Sequence, residues 1–221
     1  MAQEITIKQL FEDHLSLAWE DIAAYEYPYE VLADIGDIIK KIGAALPADR
    51  FEKREGDIWV AKNATVAPTA CLNGPLIIDE EAEIRHCAFI RGNVIVGKGA
   101  VVGNSTELKN VILFDGVQVP HYNYVGDSIL GYKSHMGAGS ITCNYDGVHK
   151  HKTVIGKDAF IGSDTMMVAP AQIGDGALVA AGSVITEPVP ADALGLGRAR
   201  QVNIEGWAAD YRRRLHEDDE V

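Results

Sequence analysis

The chain has 221 residues, with 32 acidic and 20 basic side chains and a formal net charge of −12 at pH 7. This length allows one sizeable hydrophobic core and one smaller element. The acidic balance argues against nucleic acid as the main partner, because neutralising phosphates requires a basic face. We find no apolar run approaching the ~20 residues that a membrane span needs, and no pattern of an export signal near the start.

Three cysteines, Cys71, Cys87 and Cys143, are odd in number and widely spaced. They fit neither a disulfide framework nor a metal site of the CxxC type. We expect Cys71 and Cys87 to be small, semi-buried residues, and we expect a reducing, cytoplasmic location.

Residues 1–57 are predicted to form a helical N-terminal segment. Thr6 and Gln9 form a capping-box pair, and the apolar residues from Ile7 to Ile22 then follow helical spacing. A second helix is expected from near Tyr29 through Leu46. We expect this segment to cap the open end of the following domain, where an exposed edge could otherwise pair with other chains.

Residues 58–190 are predicted to form a β-helix built from hexapeptide repeats. An aliphatic residue recurs at every sixth position from Val60 to Leu108, whereas a helix needs a spacing near 3.6 and a strand a spacing near 2. A period of six is typical of short strands joined by corners, with the aliphatic side chains stacked inside. One residue is dropped before Leu113 and another before Leu130, and the rhythm returns from Ile155 to Ile185. The alternative, a β-sandwich, does not hold so constant a spacing.

Two segments lack the period. Residues 141–153 are polar and contain an Asp-Gly turn signal, which predicts a loop projecting from one corner. Residues 191–221 are predicted to form an irregular C-terminal arm with a solvated acidic end. Trp207 in this arm is expected to pack on the coil or on a neighbouring subunit.

The repeat predicts two stacked cations. A coil of three six-residue sides returns to the same position after eighteen residues, which is the spacing of Arg91 and Lys109. Two stacked cations repel each other unless an anion lies between them, which favours a phosphate or diphosphate site. In the alternative, the two side chains simply extend into solvent. Ser163 and Ala181 have the same spacing, and small residues stacked in this way leave a groove for an extended ligand.

Histidines offer two further hypotheses. His121 follows a proline in a polar, aromatic stretch and could act as a general base, or it could form only a structural hydrogen bond. His86, His135, His149 and His151 allow a zinc site resembling that of the gamma-class carbonic anhydrases, which share this architecture. Their spacings do not reproduce the paired pattern of that family.

Five motifs resemble those of one enzyme family. They resemble the acetyltransferase half of the bifunctional bacterial enzyme that makes UDP-N-acetylglucosamine, over roughly Arg91 to Trp207 and without a gap. The chain is also similar to stand-alone proteins described as related to UDP-N-acetylglucosamine pyrophosphorylase, and we expect it to lack the uridylyltransferase half. The motifs lie at residues 102–109, 121–128, 137–147, 160–165 and 205–207.

The resemblance implies a left-handed parallel β-helix that forms a homotrimer with its sites between subunits. It implies transfer of an acetyl group from acetyl-CoA to an amino-sugar 1-phosphate resembling glucosamine 1-phosphate, with no metal. His121 corresponds to the catalytic base and Glu107 to an acid near the sugar amine. The substrate-binding positions are Arg91, Lys109 and Lys150 for the phosphate, with Tyr124, His135 and Asn144 for the sugar and ligand. The acetyl-CoA positions are Ala138, Tyr145, Ser163, Ala181 and Arg198.

Two departures from the family pattern leave a second hypothesis open. His135 replaces an asparagine that contacts the sugar, and Ile204 replaces a lysine near the CoA phosphates. The alternative is therefore a non-catalytic module of the same family that binds a nucleotide sugar or docks onto a separate uridylyltransferase.

Overall fold

The computed structural model describes residues 6–11 and 16–217. Within them, no helix combines the length and the apolar character that crossing a membrane requires. The helices are α1 (Ile7–Phe11), α2 (Trp19–Ile22), α3 (Pro28–Ala45) and α4 (Trp207–Glu217).

The first predicted helix is divided into α1 and α2, with Leu15 outside the described residues. The predicted capping box is present, because the Thr6 N–H donates to Gln9 Oε1 at 2.9 Å and the Gln9 N–H to Thr6 Oγ1 at 3.4 Å. The Ser16 hydroxyl accepts a hydrogen bond from the Ala18 N–H, a local bond that starts a new turn before α2. The second predicted helix is confirmed as α3.

The strands, in chain order, are β1 (Phe51–Arg54), β2 (Ile58–Ala61), β3 (Thr65–Val66), β4 (Cys71–Leu72), β5 (Leu76–Ile78), β6 (Glu83–Ile84), β7 (Phe89–Ile90), β8 (Val94–Val96), β9 (Val101–Asn104), β10 (Glu107–Leu113), β11 (Gln118–His121), β12 (Tyr124–Leu130), β13 (His135–Met136), β14 (Ile141–Cys143), β15 (Thr153–Ile155), β16 (Phe160–Ile161), β17 (Met166–Val168), β18 (Ala171–Ile173), β19 (Leu178–Val179), β20 (Val184–Ile185) and β21 (Leu194–Gly195).

Strands β2 to β21 stack in parallel as the three walls of a β-helix, as the hexapeptide period predicts, and β1 pairs antiparallel with the edge strand β2. Wall A contains β2, β5, β8, β15 and β18, together with the second halves of β10 and β12. Wall B contains β3, β6, β9, β11, β13, β16, β19 and β21. Wall C contains β4, β7, β14, β17 and β20, together with the first halves of β10 and β12.

The length of each coil follows the slips in the sequence. Ile58 pairs with Leu76, eighteen residues on, whereas Val94 pairs with Val111, seventeen residues on. Ser128 pairs with Thr153, so one coil contains seven residues more than a regular one. These extra residues lie between β14 and β15, where the polar stretch predicts a loop.

Helix α3 lies along wall A and contacts β5, β8, β10, β12 and β15. We expected the helical segment to cap the open end, but α3 lies along the side of the coil instead. The edge strand β2 is paired by β1, a strand within the segment that was predicted to be helical. Its 18 residues extend about 27 Å, the height of between five and six coils spaced about 4.8 Å apart. At the first coil, Gly43 allows close contact, because a Cβ atom there would overlap the ring of Trp59.

The reason for this placement is a second apolar ladder on the outer side of wall A. Successive coils carry Ile77, Ile95, Ile112, Ile129 and Val154 in register, one residue before each inward aliphatic. Successive side chains of a strand point to opposite faces, so this ladder would be exposed without a cover. The apolar stripe of α3 buries it, and the two form one continuous core.

Three further expectations require correction. The coil continues past residue 190 to β21, which pairs with β19. The C-terminal arm is not irregular throughout, because it contains α4, where Trp207 stacks on Tyr211 with ring centroids 5.1 Å apart. Cys71 and Cys87 are exposed rather than semi-buried, because each lies outside the inward register of the repeat.

Candidate active site

One corner of the coil carries most of the residues predicted to hold acetyl-CoA. This B–C corner follows wall B and precedes wall C, and successive coils place His121, Ala138, Ser163 and Ala181 at equivalent positions. Backbone bonds join the coils along it: the Gly139 N–H to His121 O at 3.1 Å, the Asp164 N–H to Ala138 O at 2.8 Å and the Gly182 N–H to Ser163 O at 2.8 Å. The small side chains leave an open groove of about 570 Å³ that His121 and His135 also line.

His121 lies at the end of β11 with its side chain exposed. The buried amide of Asn123 holds its backbone, accepting the His121 N–H at 3.1 Å and donating to Gly137 O and Ser140 O at 2.8 and 3.0 Å. Sequence reasoning missed Asn123. Its place inside the motif at residues 121–128 was the available signal.

His135 lies on wall B, beside the groove rather than with the other predicted sugar contacts. Its ring stacks on Phe160 with centroids 4.9 Å apart. Burial lowers the pKa of His135, and the nearby charge of His121 lowers it further. Both effects favour the neutral imidazole of His135 beside the groove.

The opposite corner brings together the predicted phosphate-binding cations. This C–A corner follows wall C and precedes wall A. Arg91 and Lys109 project from adjacent coils, as their spacing predicts, because Ile90 and Leu108 are in register. Lys150 reaches the same corner from the long loop, and its pKa is lowered mainly by the charge of Lys109 and also by that of Arg91.

Two carboxylates neutralise part of this positive charge. Glu107 accepts a hydrogen bond from Arg91 Nη1 at 2.8 Å, and Asp127 lies 3.2 Å from Lys109 Nζ. Lys150 forms no ion pair with any carboxylate within residues 6–11 and 16–217. A mobile anion at this corner would complete the charge balance.

Asp127 organises the corner and was missed by sequence reasoning. Its side chain is 5% exposed and accepts hydrogen bonds from Asn110 Nδ2 at 2.8 Å and Asn144 Nδ2 at 2.6 Å. Asn144, predicted to contact ligand, is thus buried and held by Asp127. The signal was their spacing, since Asn110, Asp127 and Asn144 are seventeen residues apart, the length of the shortened coils.

The outer side of wall C joins the two corners. Glu107 and Tyr124 pair across adjacent coils there. The Tyr124 hydroxyl lies over Gly126, where a Cβ atom would overlap it, and Gly126 is the register partner of Lys109. Glu107 and Tyr124 therefore lie between His121 and the cations.

Two predicted acetyl-CoA positions lie away from the middle of the groove. Arg198 packs its Cδ near Gly182, beside Ala181 at the far end. Tyr145 is on the exposed loop at the C–A corner, where it pairs with Lys150 and its hydroxyl donates to Gly147 O at 2.5 Å. Within one chain, Tyr145 is therefore separated from Ser163 and Ala181 by wall C.

The described parts of the chain, 6–11 and 16–217, contain no group of three or more His, Cys, Asp or Glu side chains placed to hold a metal ion. His151 instead pairs with Asp146 at 2.7 Å, and His86 Nδ1 hydrogen bonds with Thr69 Oγ1 at 2.7 Å. These residues therefore provide no site for the zinc ion of the alternative hypothesis.

Two family models match the coil. Residues 72–146 match the GMPPB C-terminal domain, and residues 152–187 match the six-repeat bacterial transferase hexapeptide. Hexapeptide repeats of this kind form the left-handed β-helix that was predicted.

Curated relatives align over the same region. The bifunctional protein GlmU of Jannaschia sp. (strain CCS1) is 42% identical over 176 residues, which cover 72% of this chain and 39% of that protein. The GlmU protein of Granulibacter bethesdensis is 59% identical over 114 residues, covering 52% of this chain and 25% of that protein. The chain thus spans well under half the length of these relatives.

Among solved structures, the polySia-specific acetyltransferase NeuO is similar with a TM-score of 0.49 and 16% identity, covering 73% of this chain and 90% of that chain. The chain belongs to the hexapeptide-repeat family of bacterial transferases, and its coil is homologous to the C-terminal acetyltransferase region of the bifunctional GlmU proteins.

Proposed function

We propose that the protein is an acetyl-CoA-dependent N-acetyltransferase that acts on an amino sugar carrying a 1-phosphate, such as glucosamine 1-phosphate. The observation that carries this proposal is the order of groups around the coil. His121 lies on one corner, Glu107 and Tyr124 follow on wall C, and the cations lie on the next corner. Glu107 and Lys109 lie two residues apart on one strand, on the order of 7 Å, a distance that an amino sugar and its phosphate can bridge.

In the proposed reaction, His121 accepts a proton from the sugar ammonium, and the free amine attacks the thioester carbon of acetyl-CoA. The tetrahedral intermediate collapses with cleavage of the carbon–sulfur bond, and the CoA thiolate takes the proton held by His121. The second proton on the former ammonium nitrogen leaves to solvent, which gives the neutral amide. The Gly137 N–H cannot stabilise the oxyanion, because it already donates to Ile161 O at 2.7 Å. The Ala138 N–H donates to no carbonyl within residues 6–11 and 16–217, so we assign it this role.

The acetyl-CoA arm would lie along Ala138, Ser163 and Ala181, with Arg198 at the end of the groove to meet a CoA phosphate. Tyr145 can join this groove only from another chain, since wall C separates them within one chain. The proposal therefore includes a homotrimer with the sites between subunits, in a cytoplasmic location where acetyl-CoA is available.

The test measures release of free thiol from acetyl-CoA with a panel of amino-sugar 1-phosphates, including glucosamine and galactosamine 1-phosphate. We expect turnover with at least one of them. His121→Ala should lower kcat by about 10²- to 10⁴-fold while ligand binding persists, because a positioned general base typically contributes that factor.

The matched control is His86→Ala, two coils earlier on the same corner and outside the groove, which should leave kcat unchanged. Normal turnover by His121→Ala would refute the mechanism. Binding of the sugar phosphates with no thiol release by the unmodified protein would favour the non-catalytic module.

A further inference from the structure

A second cleft lies where α3 stops covering the coil. The outer ladder of wall A is buried as far as Val154, but the next residue in register is Gln172, which is only partly buried. Helix α3 begins at Pro28 beside this rung and leaves an open cleft of about 430 Å³. This volume lies within the range of small-molecule sites.

The walls of the cleft are flat and mainly apolar. Tyr29 forms one side and is 39% exposed, and Tyr27 stacks on it with centroids 5.4 Å apart, which holds the ring in place. Pro170 and Pro188 line the cleft as well. The Gln172 side-chain amide forms no hydrogen bond within the described residues, so its donors and acceptor remain available. These features suit a planar heteroaromatic ring with polar edges.

One side of the cleft is basic and leads to the C–A corner. Lys150, His151 and Lys152 line it. His151 is engaged by Asp146, whereas Lys152 pairs with no acidic side chain in the part of the chain described, 6–11 and 16–217. Lys150 also belongs to the cluster with Lys109 and Arg91, so the cleft and the cation cluster share a residue.

We infer that this cleft binds the nucleoside of a nucleoside diphosphate. The base lies against Tyr29 with an edge at Gln172, and the two phosphates contact Lys152 and Lys150. The role of the bound nucleotide in acetyl transfer rests on the proposed function. In that reaction, the acceptor is an amino sugar whose 1-phosphate is linked to the nucleotide. The base then lies in the cleft and the diphosphate at the C–A corner. The sugar lies on wall C, with its amine near His121.

Isothermal titration calorimetry with UDP, GDP and inorganic pyrophosphate tests the binding site. We expect at least one nucleoside diphosphate to bind roughly 10-fold or more tightly than pyrophosphate, because stacking of a base on an aromatic ring contributes about that factor or more. Tyr29→Ala should remove most of this advantage and leave pyrophosphate binding unchanged. Lys152→Ala should weaken nucleoside diphosphate and pyrophosphate alike.

The control is Lys40→Ala, an exposed residue on the same helix as Tyr29 but outside the cleft, which should alter no affinity. Gln172→Ala, on the coil rather than on α3, provides a second variant if Tyr29→Ala lowers the melting temperature. Equal affinity for pyrophosphate and both nucleoside diphosphates would overturn the inference, as would unchanged nucleotide binding in both variants.

The failure of this inference and that of the proposed function are distinguishable. Acetylation of glucosamine 1-phosphate without nucleotide binding would overturn the cleft and leave the transferase intact. Nucleotide binding lost in Tyr29→Ala, with no thiol release from any phosphorylated amino sugar, would support the cleft and refute the transferase.

Discussion

At the scale of single residues, the candidate site depends on buried polar groups that position exposed ones. Asn123 holds the backbone of His121, and Asp127 holds Lys109 and Asn144. Asp127 has a φ of 50°, in the left-handed region, which Asp and Asn adopt more readily than most residues. The carboxylate is therefore set both by the corner geometry and by its three donors.

Burial opposes ionisation of Asp127, but hydrogen bonds from Asn110, Lys109 and Asn144 outweigh it, and the pKa is lowered. A lowered folded-state pKa stabilises the protein above the unfolded value, which is near 3.9 for Asp, and this contribution is lost as pH falls below about 4. Asp127→Asn should therefore cost about 1.5–3 kcal/mol at pH 7, and the difference from the unmodified protein should shrink below about pH 4.

Urea unfolding at pH 7 and near pH 3 measures this difference. The control is Asp158→Asn, an exposed aspartate at a corner of similar φ, which should change stability by less than about 0.5 kcal/mol. A constant difference at both pH values would contradict the assignment of charge to Asp127.

At the scale of elements, two different periods meet on wall A. The coil presents one outer aliphatic residue per turn, and the 3.6-residue period of α3 presents a stripe of its own. The two surfaces pack over about 27 Å, which makes the helix part of the coil's core rather than a separate unit.

Shared packing predicts shared unfolding. Ile39 is fully buried in α3, so Ile39→Ala should lower the free energy of unfolding by about 2–5 kcal/mol. Circular dichroism during urea unfolding should show the helical and strand signals moving together to a lower midpoint. Lys40→Ala, next to it and exposed, should leave the midpoint nearly unchanged. Loss of the helical signal alone, with the strand transition unmoved, would mean that α3 folds independently.

At the scale of the whole molecule, groups of large apolar side chains are exposed on wall B and on α4. Phe160, Leu178 and Leu194 form a ladder on the outer side of wall B and are 47%, 46% and 63% exposed. On α4, Trp207, Tyr211 and Leu215 share one face and are each about half exposed. Contiguous apolar patches of this kind typically mark interfaces.

The proposed trimer gives these surfaces a partner. Size-exclusion chromatography with light scattering should detect a particle three times the 23.9 kDa chain mass. Leu178→Glu should shift it toward the monomer, because a charge in an apolar interface is costly to bury. Arg213→Ala, on α4 in an exposed pair with Asp210, should keep the assembly. A monomeric unmodified protein would contradict the trimer and leave Tyr145 without a groove to join.

The sequence by itself determined the features that repeat along the chain. A strict period of six specified the inward ladder, and its slips specified the coil lengths, because each inward position is set by its own few residues. The same counting brought Arg91 beside Lys109 and aligned Ser163 with Ala181.

Only the tertiary structure decided the features that depend on which surfaces meet. The side position of α3, the triple hydrogen bonding of Asp127 and the cleft beside Tyr29 each join segments far apart in the chain. An apolar stripe predicts that one face of a helix is buried, but it does not identify the surface that buries it, since the hydrophobic effect is non-directional. The partner is chosen by shape and length, and these exist only once the coil has formed.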